Sequence, residues 1–251
     1  MYDNIDYKHY FISVKEMSLK VPTILHQVWF KFPNGPEEPP REYKEMRESW
    51  VKNHPGWTHY LWNSKNSREF VKTHFPHMLG VYDGYPKEIN RVDAIRYFVL
   101  AVYGGVYADC DSMSLKPLTP LLENRLVLVP DVNPLLLWNN GLMLAEPNHP
   151  VILHCANNLG KTAWVRETMI ATGPLYLSGN YLLGKKEEGT KIMKMAELNE
   201  YFYHRHDASW TPIAKFRQAM DPERRQYMVM EDVPWILKPF LKGKVGSKVE
   251  A

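Results

Sequence analysis

The stretch from Asn90 to Asp111, which reads NRVDAIRYFVLAVYGGVYADCD, decides the fold. Apolar residues recur at helical spacing over 88–103, and Gly104-Gly105 follows as a strong signal for the end of a helix. Residues 106–109 then predict a short strand. A helix that turns at two glycines directly into a strand indicates an α/β unit with the strand packed against the helix.

Two pairs of polar residues in this stretch carry chemistry. Asp109 and Asp111 lie on one face of an extended strand, where paired carboxylates suit a divalent cation such as Mn²⁺ or Mg²⁺. Asp93 and Arg96 share one face of the helix at the edge of its apolar stripe. The residues alone leave two interpretations open. Both pairs could be solvated surface charges, or Asp109 and Asp111 could bind a metal while Asp93 and Arg96 bind a polar ligand. We expect Cys110 to be a small buried wall, because neighbouring acids raise a thiol pKa.

The rest of the chain alternates strand and helix patterns. Predicted strands cover 21–30, 57–62, 125–130 and 139–147, the last as a strand with a turn, and predicted helices cover 41–52 and 64–74. Such alternation favours an α/β sandwich with a mainly parallel sheet, and we expect Trp57 and Trp62 in its core. We divide the chain into an N-terminal arm (1–20), one domain (21–215) and a C-terminal extension (216–251).

The composition excludes several classes of protein. The 251 residues are 45% hydrophobic and 24% charged, which is ordinary for a globular protein and excludes a disordered or fibrous chain. A net charge of +3 is too balanced to predict nucleic-acid binding. Cys110 and Cys155 cannot form a disulfide framework, and neither a spanning apolar run nor a signal peptide is evident. We therefore expect a cytoplasmic protein, whose basic tail could contact a membrane surface.

The stretch 90–111 resembles the signature of sugar-nucleotide glycosyltransferases with a DXD sugar-binding region. These are the family 32 enzymes of mannosyltransferase and capsular-polysaccharide type, distantly related to the large clostridial glucosylating toxins. Further segments follow the order of that family, namely VPTILHQVWF (21–30), WTHYLW (57–62), NNGLMLAEPNHP (139–150), ATGP (171–174) and HRHDASW (204–210). The resemblance spans residues 21–210 and implies a GT-A fold, a Rossmann-like sandwich with the donor across the carboxyl ends of the strands.

The resemblance also implies roles for single residues. Asp109 and Asp111 match the DXD pair, in which one acid meets the ribose or sugar and the other the metal, and we expect Asp111 to lie closer to the metal. The residues that match contacts to the donor sugar are Asp93, Arg96 and Asn140, with Asn139 beside Asn140. Trp29 matches an aromatic residue near the nucleobase. The family also has a terminal motif that closes over the diphosphate and completes the metal site. The residues that match this motif are His204, Ser209 and Trp210. The segment departs from the family pattern, so His206 or Asp207 could replace His204.

The function implied is a metal-dependent, retaining glycosyltransferase that moves a hexose from a nucleotide sugar to a glycan or glycolipid. Mn²⁺ or Mg²⁺ would be the cofactor, a UDP-hexose is the favoured donor, and GDP-mannose is the alternative. No carboxylate nucleophile is evident from spacing, which favours front-face departure and attack. One alternative is a sugar-1-phosphate nucleotidyltransferase, although HQVWFKFPNGPEEPP (26–40) is not a Gly-rich nucleotide loop. The other alternative is a non-catalytic carbohydrate-binding protein. The presence of both Asp109 and Asp111 beside Asp93 and Arg96 argues against it.

Overall fold

The structure is a computed structural model that describes residues 18–31, 38–132, 136–184 and 188–205. Most of the predicted N-terminal arm and the whole C-terminal extension lie outside these ranges. The strands are β1 (Ile24–Val28), β2 (Thr58–Trp62), β3 (Gly105–Ala108), β4 (Ser112–Ser114), β5 (Leu126–Pro130), β6 (Trp138–Ala145), β7 (Thr190–Ile192) and β8 (Phe202–His204). The helices are α1 (Arg41–Asn53), α2 (Ser64–His74), α3 (Leu79–Asp83), α4 (Glu88–Tyr103), α5 (Pro150–Asn158), α6 (Thr168–Ala171), α7 (Pro174–Leu183) and α8 (Met195–Tyr201).

The central sheet has six strands in the order β2-β1-β3-β6-β5-β7. β1 pairs in parallel with β2 and β3, and β5 pairs in parallel with β7. β6 runs antiparallel between β3 and β5. The prediction of an α/β sandwich with a mainly parallel sheet is therefore confirmed, with β6 as the reversed strand.

Helix α4 is the central element of one face of the sheet. Its bounds agree with the prediction, but it is buried on every side between Asp93 and Ala101 rather than along one stripe. A helix that is covered all round lies inside a protein core. The prediction that Asp93 and Arg96 lie at the edge of an apolar stripe is therefore wrong, since both side chains are enclosed.

The sheet separates two apolar cores. One contains α4, α2, α5 and the alternate side chains of β3 and β6, including Tyr107 and Met143. The other contains residues from the opposite faces of the same strands together with Trp50 of α1 and Leu198 of α8. Trp62 is buried in the first core, as expected, whereas Trp57 is only partly buried against the second.

The glycine pair between α4 and β3 fixes the place of β3. Gly104 and Gly105 have φ angles of 62° and 94°, in the left-handed region that favours glycine. A Cβ at Gly104 would lie 2.6 Å from the backbone nitrogen of Pro147, and one at Gly105 would lie 2.6 Å from the carbonyl oxygen of Ile24. Both positions therefore require glycine, and the close contact with Ile24 holds β3 next to β1 in the sheet.

A second, two-stranded sheet brings a distant segment to the end of β3. β4 and β8 pair antiparallel, with Ser112 opposite His204. The indole nitrogen of Trp50 donates to the Ser112 carbonyl at 3.0 Å and anchors β4 to α1. This pairing places His204 beside the turn between β3 and β4. In the part of the chain described, the structure contains no helix of the length and apolarity that a membrane span requires.

Candidate active site

Three side chains that could bind a metal meet just beyond the carboxyl end of β3. One ligand atom from each of Asp109, Asp111 and His204 lies within 4.8 Å of the others. His204 Nε2 is 2.9 Å from Asp111 Oδ1 and 3.4 Å from Asp109 Oδ2. The extended strand assumed for Asp109 and Asp111 is wrong, because β3 ends at Ala108 and the two acids flank a turn. The turn nevertheless brings both carboxylates to the same imidazole.

Opposite charges hold this cluster together. Burial alone would lower the pKa of His204, but the carboxylates of Asp111 and Asp109 outweigh it and raise that pKa to about 10. Burial would raise the pKa of Asp109, but Arg96 and His204 outweigh it and hold that pKa well below its usual range. At neutral pH the imidazole of His204 is therefore protonated, and a metal ion that binds His204 would displace this proton.

The donor set fits a divalent cation. Tyr107 OH donates to Asp109 Oδ1 at 2.7 Å and Arg96 Nη1 lies 3.3 Å from the same oxygen, so Oδ2 is the oxygen turned toward His204. Such partners orient a carboxylate ligand. Two carboxylates and an imidazole suit Mn²⁺ at least as well as Mg²⁺, and leave coordination positions for phosphate oxygens.

Arg96 connects the carboxylate cluster to α4. Its side chain is 4% exposed, and Nη2 donates to Asp93 Oδ1 at 2.5 Å while Nη1 donates to the Asn140 carbonyl at 2.7 Å. The guanidinium carbon lies 4.5 Å from the centre of the Tyr107 ring, a cation–π contact. Burial raises the pKa of Asp93 to about 6, although the charge of Arg96 acts in the opposite direction. The Asp93–Arg96 pair is thus a buried part of the site rather than a surface ion pair.

A bulge in β6 supplies backbone groups to the site. Leu128 pairs with Met143 but Val129 pairs with Asn139, so residues 140–142 of β6 form a bulge and have no pairing partners in β5. Bulges of this kind bend a strand and are common beside active sites. The Gly141 carbonyl accepts from the backbone N–H of Asp109 at 2.9 Å. The bulge therefore holds the backbone of Asp109 in place.

Gly141 is required by the approach of the Asp109 side chain. A Cβ at position 141 would lie 2.5 Å from Asp109 Oδ2 and 2.7 Å from Asn139 Oδ1. Either contact would displace a carboxylate oxygen or an amide oxygen of the site. Gly141 could not be identified from the sequence, since the motif NNGLMLAEPNHP (139–150) gives no signal that this glycine faces a carboxylate.

The turn before α7 fixes the other side of Asp93. Thr172 Oγ1 donates to Asp93 Oδ2 at 3.2 Å, and Asn90 Nδ2 donates to Thr172 Oγ1 at 3.2 Å. Tyr97 OH donates to the Thr172 carbonyl at 2.9 Å and accepts from Asn140 Nδ2 at 3.4 Å. Asn90 lies one helical turn before Asp93 on α4, and this spacing could have identified Asn90 as a residue of the site from the sequence.

The adjacent asparagines of β6 have different environments. Asn139 Nδ2 donates to the buried Asp131 at 2.8 Å, and its Oδ1 accepts from the backbone N–H of Gly141 at 2.5 Å. Asn140 instead contacts Tyr97. Asn139 therefore shapes the bulge, while Asn140 lies on the side of the Asp93–Arg96 pair. Asp131 was missed, because only the fold brings it to Asn139.

The remaining predicted residues lie at the edge of the site or outside the described ranges. Trp29 follows β1, and its ring meets Tyr43 edge-on at 5.6 Å between ring centres. Cys110 packs beside them, and burial raises the pKa of its thiol to about 12, so it is the buried wall that we expected. Those outside the described residues are His206, Asp207, Ser209 and Trp210. Nothing in the structure bears on their roles.

Comparison with known proteins identifies the region that contains Asp109, Asp111 and the Asp93–Arg96 pair. Residues 40–128 match a family described as a glycosyltransferase sugar-binding region containing a DXD motif. Inositol phosphoceramide mannosyltransferase 3 of Schizosaccharomyces pombe is 34% identical over 177 residues, which cover 68% of this chain and 47% of that protein. Mannosyl phosphorylinositol ceramide synthase SUR1 of Saccharomyces cerevisiae is 32% identical over 200 residues, which cover 78% of this chain and 50% of that protein. The chain thus spans about half the length of these relatives.

A solved structure supports the fold. The PaToxG glycosyltransferase superposes with a TM-score of 0.52 over 90% of this chain and 87% of that chain, at 14% sequence identity. The architecture is thus of the GT-A type, and the DXD residues Asp109 and Asp111 lie in the part of the chain that matches the family. Residues 40–128 of this chain therefore match the DXD-containing sugar-binding region of glycosyltransferases, and the relatives that share sequence with the chain carry the names of mannosyltransferases.

Proposed function

We propose that the chain transfers a hexose, with mannose favoured, from a nucleoside diphosphate donor to a glycan or glycolipid in a metal-dependent reaction. The observation that carries the proposal is the convergence of Asp109, Asp111 and His204 beside the buried Arg96–Asp93 pair. The names of the relatives, which are mannosyltransferases acting on inositol phosphoceramide, support the choice of mannose and of a glycolipid.

The three clustered side chains would hold the cation. A bound divalent ion would neutralise the charge that develops on the departing diphosphate. Tyr107 and Arg96 keep Asp109 Oδ1 engaged, so Oδ2 stays directed to the cluster. We expect Asp111, in the turn beyond the strand, to lie closer to the ion than Asp109.

The Asp93–Arg96 pair would position the donor sugar. Asp93 accepts from Arg96 on one oxygen and from Thr172 on the other, so its carboxylate is held in one orientation. Arg96 Nε is buried and has no hydrogen-bond partner among the described residues. An unsatisfied buried donor costs about 1–3 kcal/mol, and a sugar hydroxyl would satisfy it. Asn140, next to Tyr97, lies on the same side as this pair.

The stereochemical proposal is retention with departure and attack on the same face of the sugar. A covalent intermediate would need a carboxylate nucleophile at the anomeric carbon. The carboxylates of the site have other partners, since Asp93 binds Arg96, Asp109 binds Tyr107 and Asp131 binds Asn139. These contacts support front-face chemistry without an enzyme nucleophile.

A screen of donors tests the proposal and separates it from its alternatives. The chain would be incubated with UDP-glucose, UDP-galactose and GDP-mannose, each with Mn²⁺ or with EDTA. We expect release of the nucleoside diphosphate and free hexose from one donor, only with the metal, and at least a hundredfold slower release by Asp111→Asn. Pyrophosphate-dependent formation of a nucleoside triphosphate would instead support a nucleotidyltransferase. Binding of a donor without turnover would support a carbohydrate-binding protein.

The base of the donor and the location of the chain are further parts of the proposal. The sequence favours UDP as the nucleotide of the donor, whereas the names of the relatives favour mannose, and the screen includes GDP-mannose for that reason. The buried free thiols of Cys110 and Cys155 support a reducing, cytoplasmic location. Fractionation of cells that express the full chain would test the location, and recovery from a secretory compartment would contradict it.

A further inference from the structure

A cavity of about 230 Å³ lies next to the cluster of Asp109, Asp111 and His204, between α8 and the end of β5. Val129, Leu198 and Phe202 give it an apolar wall, and all three are buried. Asn139 and His204 also line it, and both belong to the candidate active site. The cavity thus combines an apolar wall with a polar side that it shares with the site.

The size and polarity of the cavity suit one part of an amphipathic molecule. Since a water molecule takes up about 30 Å³, the cavity has room for about eight groups of the size of water or methylene. Apolar walls of this kind bind hydrocarbon in preference to water. Tyr203, which is 49% exposed, and the exposed Asn199 also line the cavity, so a ligand can enter from the surface.

We propose that this cavity binds the apolar segment of an amphipathic acceptor. The polar head group of that acceptor would lie against Asn139 and His204, beside the donor sugar, while its hydrocarbon chain would pack on Leu198 and Phe202. The proposal rests on the proposed glycosyltransferase function. The ceramide lipids in the names of the relatives have this amphipathic chemistry.

The first experiment measures how binding depends on chain length. Butyl, hexyl and octyl esters of inositol 1-phosphate, all below their critical micelle concentrations, would be titrated into the full chain with Mn²⁺ and GDP by calorimetry. Inositol 1-phosphate without an alkyl chain is the reference. We expect each added methylene to tighten binding about two- to fourfold until the cavity is full. An affinity that does not depend on chain length would overturn the proposal.

The second experiment fills the cavity. Leu198→Trp places a large ring inside it, and Met195→Trp does so from a partly buried position on the same helix, which is easier for the fold to accept. Either variant, once shown to melt as a folded protein, should reduce the affinity for the octyl ester about tenfold or more, toward that of the chain-free head group. Leu183→Trp is the matched control, because Leu183 is 68% exposed on α7 and should leave the affinity unchanged. If all three variants bind the octyl ester as tightly as the wild type does, the proposal is wrong.

The outcomes also separate this proposal from the proposed function. Metal-dependent turnover of a donor without any effect of chain length would leave the function intact and refute the cavity as a lipid site. Chain-length dependence without turnover of any donor would support the cavity and refute the function. If Met195→Trp converts a dimer to a monomer in sedimentation and leaves octyl binding unchanged, the cavity is an interface between copies of the chain and the proposal is wrong.

Discussion

Replacing Arg96 with methionine should destabilise the fold, because it leaves the carboxylate of Asp93 buried without its cation. The Asp93 and Arg96 side chains are 10% and 4% exposed. Removal of one partner from a buried ion pair costs about 3–5 kcal/mol in the free energy of unfolding, since the remaining charge is uncompensated. The Asn140 carbonyl would also lose a donor now at 2.7 Å. Arg96→Met therefore tests more than sugar recognition.

The double variant Asp93→Asn/Arg96→Met separates the part of this loss that comes from the Asp93 charge from the part that comes from Asp109, which also lies 3.3 Å from Arg96 Nη1. With both charges removed, no charge of the pair is left buried, so we expect the double variant to recover about 2 kcal/mol or more relative to Arg96→Met. The cost in Arg96→Met should also be smaller at pH 5 than at pH 8. Without Arg96, which now lowers the pKa of Asp93, that carboxyl would hold its proton more strongly at pH 5.

Urea unfolding of the metal-free chain in EDTA measures these differences. Arg91→Met is the matched control, because Arg91 forms an ion pair of the same spacing with Glu88 on the same helix, but the pair is 21% and 34% exposed. It should cost much less than Arg96→Met. An Arg96→Met chain as stable as the wild type, or a double variant less stable than Arg96→Met, would refute the argument that burial of the Asp93 charge governs this site.

The remaining predictions concern the metal ligands, the bulge and pH. Asp111→Asn should lower the melting temperature of the metal-free chain, because it removes a carboxylate that faces the His204 imidazole at 2.9 Å, and it should reduce Mn²⁺-dependent turnover of the folded chain about a hundredfold or more. A fully active variant would exclude Asp111 as a ligand. Gly141→Ala should weaken Mn²⁺ binding in calorimetry about tenfold or more by pushing Asp109 Oδ2 away, whereas Gly179→Ala, which has open space at its Cβ, should not. Because the pKa of Asp93 is raised from 3.8 to about 6, its stabilising contribution is complete below pH 3.8 and is lost as pH rises through about 6. The unfolding free energy of the wild type minus that of Asp93→Asn should therefore fall by up to about 3 kcal/mol between about pH 4 and pH 7, and parallel pH profiles would contradict this.

The parts of the fold that depend on local sequence could be predicted. α4 and its ending at Gly104 follow from apolar spacing and the two glycines, and β3 differs from its predicted range by one residue at each end. The burial of Asp93 and Arg96 could not be predicted, because α4 is covered by elements from distant parts of the chain. Amphipathic spacing reports one buried face and does not show what packs on the other.

The site depends more on distant contacts. His204 was predicted only because its segment resembles a family motif. Its position in the site comes from the pairing of β8 with β4, which brings it to Asp111, a residue ninety-three positions earlier in the chain. Gly141 and Asp131 were missed, because the bulge in β6 brings them to Asp109 and Asn139. Tyr107 lies in β3 two positions before Asp109, and this spacing could have identified it as a partner of that carboxylate.

The central claim is that Asp109, Asp111 and His204 hold a divalent cation through which the chain binds a nucleotide sugar. Calorimetric titration of the full chain with the donor that the screen selects, in Mn²⁺ and then in EDTA, tests this claim most directly. We expect the affinity in Mn²⁺ to exceed that in EDTA about a hundredfold or more, and Asp111→Asn to remove that difference. Equal affinity with Mn²⁺ and with EDTA would contradict the account of the site.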